Sequence, residues 1–84
     1  MSTKWKSQGA WVLIKWKAGA PQNAWKAWEG NKSLKAGWTT SGEWDCSLLI
    51  PSKDPEAIEK FVWNHIRKNK WVEDTKTIWG WQWS

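Results

Sequence analysis

The side chains able to do chemistry in this 84-residue sequence are few: His65, Cys46, the carboxylates Glu43 and Asp45, and the hydroxyls of Thr75 and Thr77. A metal centre needs three or four convergent His, Cys or carboxylate ligands, and an activated nucleophile needs a base beside it. One His and one Cys supply neither, so no catalytic residue, metal site or cofactor is expected. His65 reads as a boundary residue of a helix with one hydrogen bond, and Cys46 as a small buried hydrophobe. Glu43 and Asp45 flank Trp44 beside Ser41-Gly42, where a carboxylate most simply ends a turn or faces water. Thr75 and Thr77 are ordinary strand residues before they are ligand donors.

The elements that would position these groups follow from periodicity. Trp38 to Ile50 reads as two strands joined by a tight turn at Ser41-Gly42, with Trp44, Cys46, Leu48 and Ile50 alternating onto one face and Asp45, Ser47 and Leu49 onto the other. Ala10 to Lys17 is a strand with Val12, Ile14 and Trp16 on one side and Trp11 and Leu13 on the other, so both sides want cover. Gly19-Ala20-Pro21 opens a helix of about three turns whose buried face is Pro21, Ala24, Trp25 and Trp28, and Gly30-Asn31 ends it. Asp54-Pro55 caps a second helix with the stripe Ile58, Phe61, Val62, His65 and Ile66. Val72 to Ser84 closes the chain as a strand, with Thr75, Thr77, Trp79, Trp81 and Trp83 on one face. Residues 1–9 read as an N-terminal arm, and residues 10–84 as one domain.

The order of elements is βαββαβ, an α+β ferredoxin-like arrangement of four antiparallel strands with two helices on one face. Trp11, Leu13 and the Trp79/Trp81/Trp83 ladder are expected on the other face. Such a patch exceeds what monomers usually leave in water, so a homo-oligomer through that face is expected, with off-stripe Trp63 and segment-end Trp71 as further contacts.

Composition sets the bounds. A chain this short buries only about 60% of its unfolded surface, which favours a partner subunit. The net charge of +5 is spread along the sequence. A single Cys suits a reducing compartment, the longest apolar run is too short for a membrane span, and the first residues are too polar for a signal peptide; the reading is cytoplasmic. The anomaly is 12 Trp beside one Phe and no Tyr. That bias reads as a chosen composition, an engineered Trp-enriched variant.

Val12-Leu13-Ile14-Lys15, the hairpin Ser41-Gly42-Glu43-Trp44-Asp45 with Leu48-Leu49, Asp54-Pro55-Glu56, and Val72-Glu73-Asp74-Thr75-Lys76-Thr77 together resemble the Lrp/AsnC effector-binding, or RAM, domain, in order and spacing from about Ala10 to Trp83. The resemblance implies subunits whose sheets face each other in a dimeric α/β barrel, often extended into rings, and a role in transcription regulation. It implies amino-acid effectors bound between subunits near Gly42, Glu43, Trp44 and Asp45, with Asp45 near the effector amino group and Thr75 and Thr77 as possible donors. Nine residues cannot hold the family's DNA-binding helix-turn-helix, so the stand-alone form is expected. Trp44 stands where Tyr is common, and Asn69-Lys70-Trp71 where a small residue is usual; Trp16, Trp25, Trp28 and Trp79 replace smaller residues, so indoles could fill the effector pocket.

Three functions therefore compete: a ligand-binding oligomeric module of the amino-acid-sensing kind, a Trp-rich scaffold built for assembly or aromatic packing, and, more weakly, single-stranded nucleic-acid binding through Lys interleaved with Trp.

Overall fold

Strand β1 (Ser7–Trp16) is paired on both edges, antiparallel to β3 (Cys46–Ile50) on one side and to β4 (Val72–Gln82) on the other. A computed structural model describes residues 7–83 of the chain. A short β2 (Ala36–Thr39) pairs with β3, so the strand order is β2-β3-β1-β4. This is the ferredoxin-like α+β arrangement, with β1 and β3 at the centre. Ser7–Gly9 of the expected arm are part of β1, and the rest of that arm lies outside the described residues.

The register explains the core. Ala10, Val12 and Ile14 pair with Ile50, Leu48 and Cys46 on one side, so six apolar side chains share one face of the two central strands. All six are buried, the three from β1 completely. Ile58, Phe61, Val62 and Ile66 from the second helical segment, with Trp28 from the first, close over them.

That second segment begins as α1 (Pro55–Phe61). The Asp54 carboxylate accepts the Glu56 N–H at 3.0 Å, and Pro55 occupies the first turn, where its missing N–H costs nothing. From Val62 to Ile66 the helix widens into a π turn, closed by the Arg67 N–H donating to the Val62 carbonyl at 2.8 Å. The wider turn keeps Val62 and Ile66 in the core and turns His65 outward, so His65 leaves the apolar stripe expected of it.

The first helical segment departs most from the sequence reading. In place of three turns of α-helix there is a five-residue 3-10 helix, Ala24–Trp28. Its hydrogen bonds step back three residues, Ala24 N–H to Pro21 and Lys26 N–H to Asn23, and the Asn23 side chain makes no cap. So short a segment is not self-sustaining. It is held instead by long-range bonds: Trp28 Nε1 donates to the His65 carbonyl at 3.1 Å, and Asn69 Nδ2 donates to the Ala24 carbonyl at 3.0 Å. Ala24 and Trp28 are buried, whereas Trp25, expected in the core, is 37% exposed. Trp16 is half-buried and stacks on Trp28 at 5.3 Å between ring centroids.

The turn between β2 and β3 is also longer than expected. Thr39 pairs with Cys46, leaving 40–45 as a loop rather than a tight reversal. Trp44 is half-buried within it.

Replacing Ile14, which has no exposed surface, by Ala should lower the unfolding free energy by about 2–5 kcal/mol. Trp83→Ser, at a residue 80% exposed, should change it by no more than about 0.5 kcal/mol. Denaturant unfolding of the two variants checks the pair, and equal losses would contradict this division of core from surface.

Candidate functional site

The loop that carries Gly42, Glu43, Trp44 and Asp45 is tied down at its C-terminal end. Gly42 has φ 106°, a left-handed conformation that other residues rarely adopt, and it lets the chain reverse at the exposed tip. Thr40 Oγ1 donates to the Trp44 carbonyl at 2.7 Å, and the Thr40 N–H donates to the Asp45 carbonyl at 3.0 Å. Asp45 then fastens the loop to β1: its N–H donates to the Ile14 carbonyl, and its Oδ2 accepts the Trp16 N–H, both at 2.9 Å. The carboxylate thus caps β1 where the ladder with β3 ends. It also lines an open groove with Lys17, Ala20, Gln22, Trp25 and Thr40.

Thr75 and Thr77 lie elsewhere. They pair with Ile14 and Val12 and line a groove between α1 and β4, beside Glu59, Trp63 and Arg67. β1 separates this groove from Asp45, so the fold of one chain does not bring the two halves of the expected effector site together.

His65 and Cys46 line neither of these grooves. The His65 ring packs against Phe61, 4.9 Å between centroids. Burial pushes the Cys46 thiol up to about 11, with a smaller push from the neighbouring Asp45 carboxylate, so it stays protonated at neutral pH. Among the described residues no three His, Cys, Asp or Glu are grouped to hold a metal ion.

The tryptophan ladder requires a correction. Trp79 pairs with Ala10 and Trp81 with Gln8, in step with Thr77 opposite Val12. The ladder is therefore on the helix-bearing side of the sheet, and Trp79 packs against the core there. Trp81 and Trp83 extend past the end of β3 and are 46% and 80% exposed. Trp63, 66% exposed with the Arg67 guanidinium 5.8 Å from its ring, is on α1's continuation. Trp71, with Lys70 5.2 Å from its ring, is in the turn before β4. Of the seven residues expected at an interface, Trp11 and Leu13 alone lie on the sheet face away from the helices.

That face has its own aromatic feature. Trp11 stacks on Trp38 at 4.9 Å and 22°, and since β3 lies between their strands the stack crosses it. Leu13, Leu49 and Ile78 share the face by register, and Ser47, between Leu13 and Trp38, is buried to 4% exposure. Trp38 and Ile78 remain 53% and 43% exposed. Alternation sets Leu49 opposite Cys46, Leu48 and Ile50, as in the structure, and Ile78 opposite the Trp79 ladder; assigning Ile78 and Trp38 to this side of the sheet required the strand pairing, Thr77 opposite Val12 and Thr39 opposite Cys46.

No protein-family model matches the sequence, and no curated protein does. Solved structures share the fold. A protein of Thermus thermophilus superposes with TM-score 0.78 at 23% identity, over 92% of this chain and 96% of that one. AsnC of E. coli gives 0.77 at 16% identity, over 88% of this chain and 50% of AsnC. The feast or famine regulatory protein of M. tuberculosis, solved with L-methionine, gives 0.73 at 22% identity, over 87% of this chain and 49% of the regulator. The chain thus has the fold of Lrp/AsnC effector-binding domains and spans about half the length of these two regulators.

Two outcomes follow from the geometry. Asp45→Ala should cost about 1–3 kcal/mol of stability in denaturant unfolding, because the Trp16 N–H loses its acceptor. Cys46 is protonated in both folded and unfolded chains below the ordinary thiol value of 9.0, and only the unfolded chain ionises between there and about 11. The stability difference between the parent chain and Cys46→Ala should therefore be constant below pH 9 and shift against the parent as pH rises to 11. A constant difference across that window would contradict a buried thiol.

Proposed function

We propose that the chain is a non-catalytic, homo-oligomeric domain of the Lrp/AsnC effector-binding kind, and that its Trp enrichment makes it an engineered scaffold for aromatic packing and assembly. The observation that carries this is the sheet face away from the helices: Trp11, Leu13, Trp38, Leu49 and Ile78 form one apolar surface on which, among the described residues, no element of the same chain packs. Both helical segments are on the other side, so a second sheet is the natural cover, giving a dimeric α/β barrel. Higher rings of such dimers are compatible with the exposed Trp81 and Trp83 beyond the end of β3.

The natural-type alternative is amino-acid sensing, and the placement of Asp45 favours keeping it. Its carboxylate is half-buried beside an indole in an open groove, a setting in which it could hold an ammonium group. Gly42, Glu43 and Trp44 precede Asp45 in the same loop, and Thr75 and Thr77 would come from another subunit. L-methionine, bound by the M. tuberculosis regulator, is the first effector to try. Nucleic-acid binding has less support. Trp16 of the Lys15-Trp16-Lys17 run stacks on Trp28 and is not free to stack on a base, and Lys4-Trp5-Lys6 lies outside the described residues.

Sedimentation velocity tests the assembly. The parent chain should sediment as a dimer or larger at micromolar concentration, and Trp38→Glu with Ile78→Glu should reduce it to a folded monomer. A parent chain that is monomeric would refute the interface. For the ligand, calorimetric titration with L-methionine should show saturable binding that Asp45→Asn weakens by about tenfold or more, the scale of one lost charged contact.

A further inference from the structure

Shortening of the first helix leaves a gap in the layer above β2 and β3, and the gap has the features of a binding site. A cleft of about 410 Å³ lies between the 3-10 helix and these strands. That is in the lower part of the range of about 300–1,000 Å³ usual for small-molecule pockets. Trp25 and Trp28 line it from the helix, and Leu34, Cys46 and Leu48 supply further apolar surface. Gly37 pairs with Leu48 and so faces the same side of the sheet, where its lack of a side chain keeps the floor open.

The polar groups define the ligand further. Among the described residues no buried side-chain polar atom lacks a partner, and Trp28 Nε1 is already committed to the His65 carbonyl. The Cys46 thiol is buried and protonated. Asn31, whose Oδ1 already accepts the Ser33 N–H, and Thr39 supply uncharged polar lining, and no charged group is buried there, so a buried ligand charge would lose its hydration uncompensated. Glu29 and Lys35, of opposite sign, are the charged residues along the cleft, and both are exposed, so neither sign of ligand charge is favoured. Indole walls favour a flat π-system, by offset or edge-to-face contact. We propose that this cleft is a binding site for uncharged planar aromatic molecules of one or two rings; it adjoins the groove beside Asp45, with which it shares Trp25, and lies on the opposite side of the sheet from the uncovered face.

The test uses indole as the probe and the full chain labelled with 5-fluorotryptophan, whose fluorine resonances at Trp25 and Trp28 are assigned with Trp25→Phe and Trp28→Phe. Titration should shift these two resonances saturably and leave Trp81 and Trp83 unmoved. Gly37→Val should weaken indole binding by about tenfold, as expected when bulk fills a pocket. A Cβ at Gly37 meets the Leu48 Cδ2 methyl at 3.1 Å, a flexible side-chain end able to yield, and the position is an exposed edge-strand residue. An unchanged melting temperature establishes that the variant is folded. L-methionine should not displace the probe, which separates failure here from failure of the effector reading. Non-saturating shifts spread over most indoles, or binding unaffected by Gly37→Val, would overturn the proposal.

Discussion

Everything in this fold depends on the pairing of β1 with a strand on each edge. With β3 and β4 both antiparallel to it, β1 is paired on both edges from Ala10 to Ile14, and the identity of the residue opposite Val12 decides the side to which every other side chain in the sheet is turned. Ala10, Val12 and Ile14 become the floor of the core because Leu48 on one side and Thr77 on the other are in step with Val12. A slip of one residue in β4 would bring Ile78 under α1 and send Trp79 to the opposite face. The Asp45 carboxylate, which accepts the Trp16 N–H at the end of β1, secures the same strand where its ladder with β3 stops.

Much of the architecture was legible because local chemistry and global fold agree. The order of the elements, the centrality of β1 and β3, and the Asp54-Pro55 start of α1 all follow from alternation, capping and proline geometry. The first helix was not legible. Its pattern of Ala24, Trp25 and Trp28 fits a helical face, but length and capping were insufficient, and bonds from His65 and Asn69, 37 and 45 residues away along the chain, decide its geometry. Nor could alternation say which face of the sheet the Trp79 ladder occupies, because period two sorts residues into sets and only the partner strand assigns a set to a side. The candidate site is a parallel case: turn chemistry marks the Gly42–Asp45 loop, but its separation from Thr75 and Thr77 by β1 is a tertiary fact.

The tryptophans consequently do different work. Trp28 is a core residue whose N–H also locks the 3-10 helix to the π turn. Trp16 extends that core by stacking on it. Trp11 and Trp38 form a separate pair on the far side of the sheet, leaving Ser47 buried beside it. An indole has enough surface to stabilise either position and one donor that must be satisfied if buried. The two stacked pairs, one on each face, make the sheet apolar on both sides.

The central claim is that the face carrying the Trp11–Trp38 stack meets another copy of the chain. An isotope-filtered NOE experiment on a mixture of labelled and unlabelled protein detects only contacts between copies, and so tests it most directly. The account predicts filtered NOEs to the methyl groups of Leu13, Leu49 and Ile78 and none to those of Ile14, Ile58 and Ile66. Filtered NOEs confined to residues on the helix-bearing side of the sheet, or none at all at a concentration where the chain is associated, would contradict it.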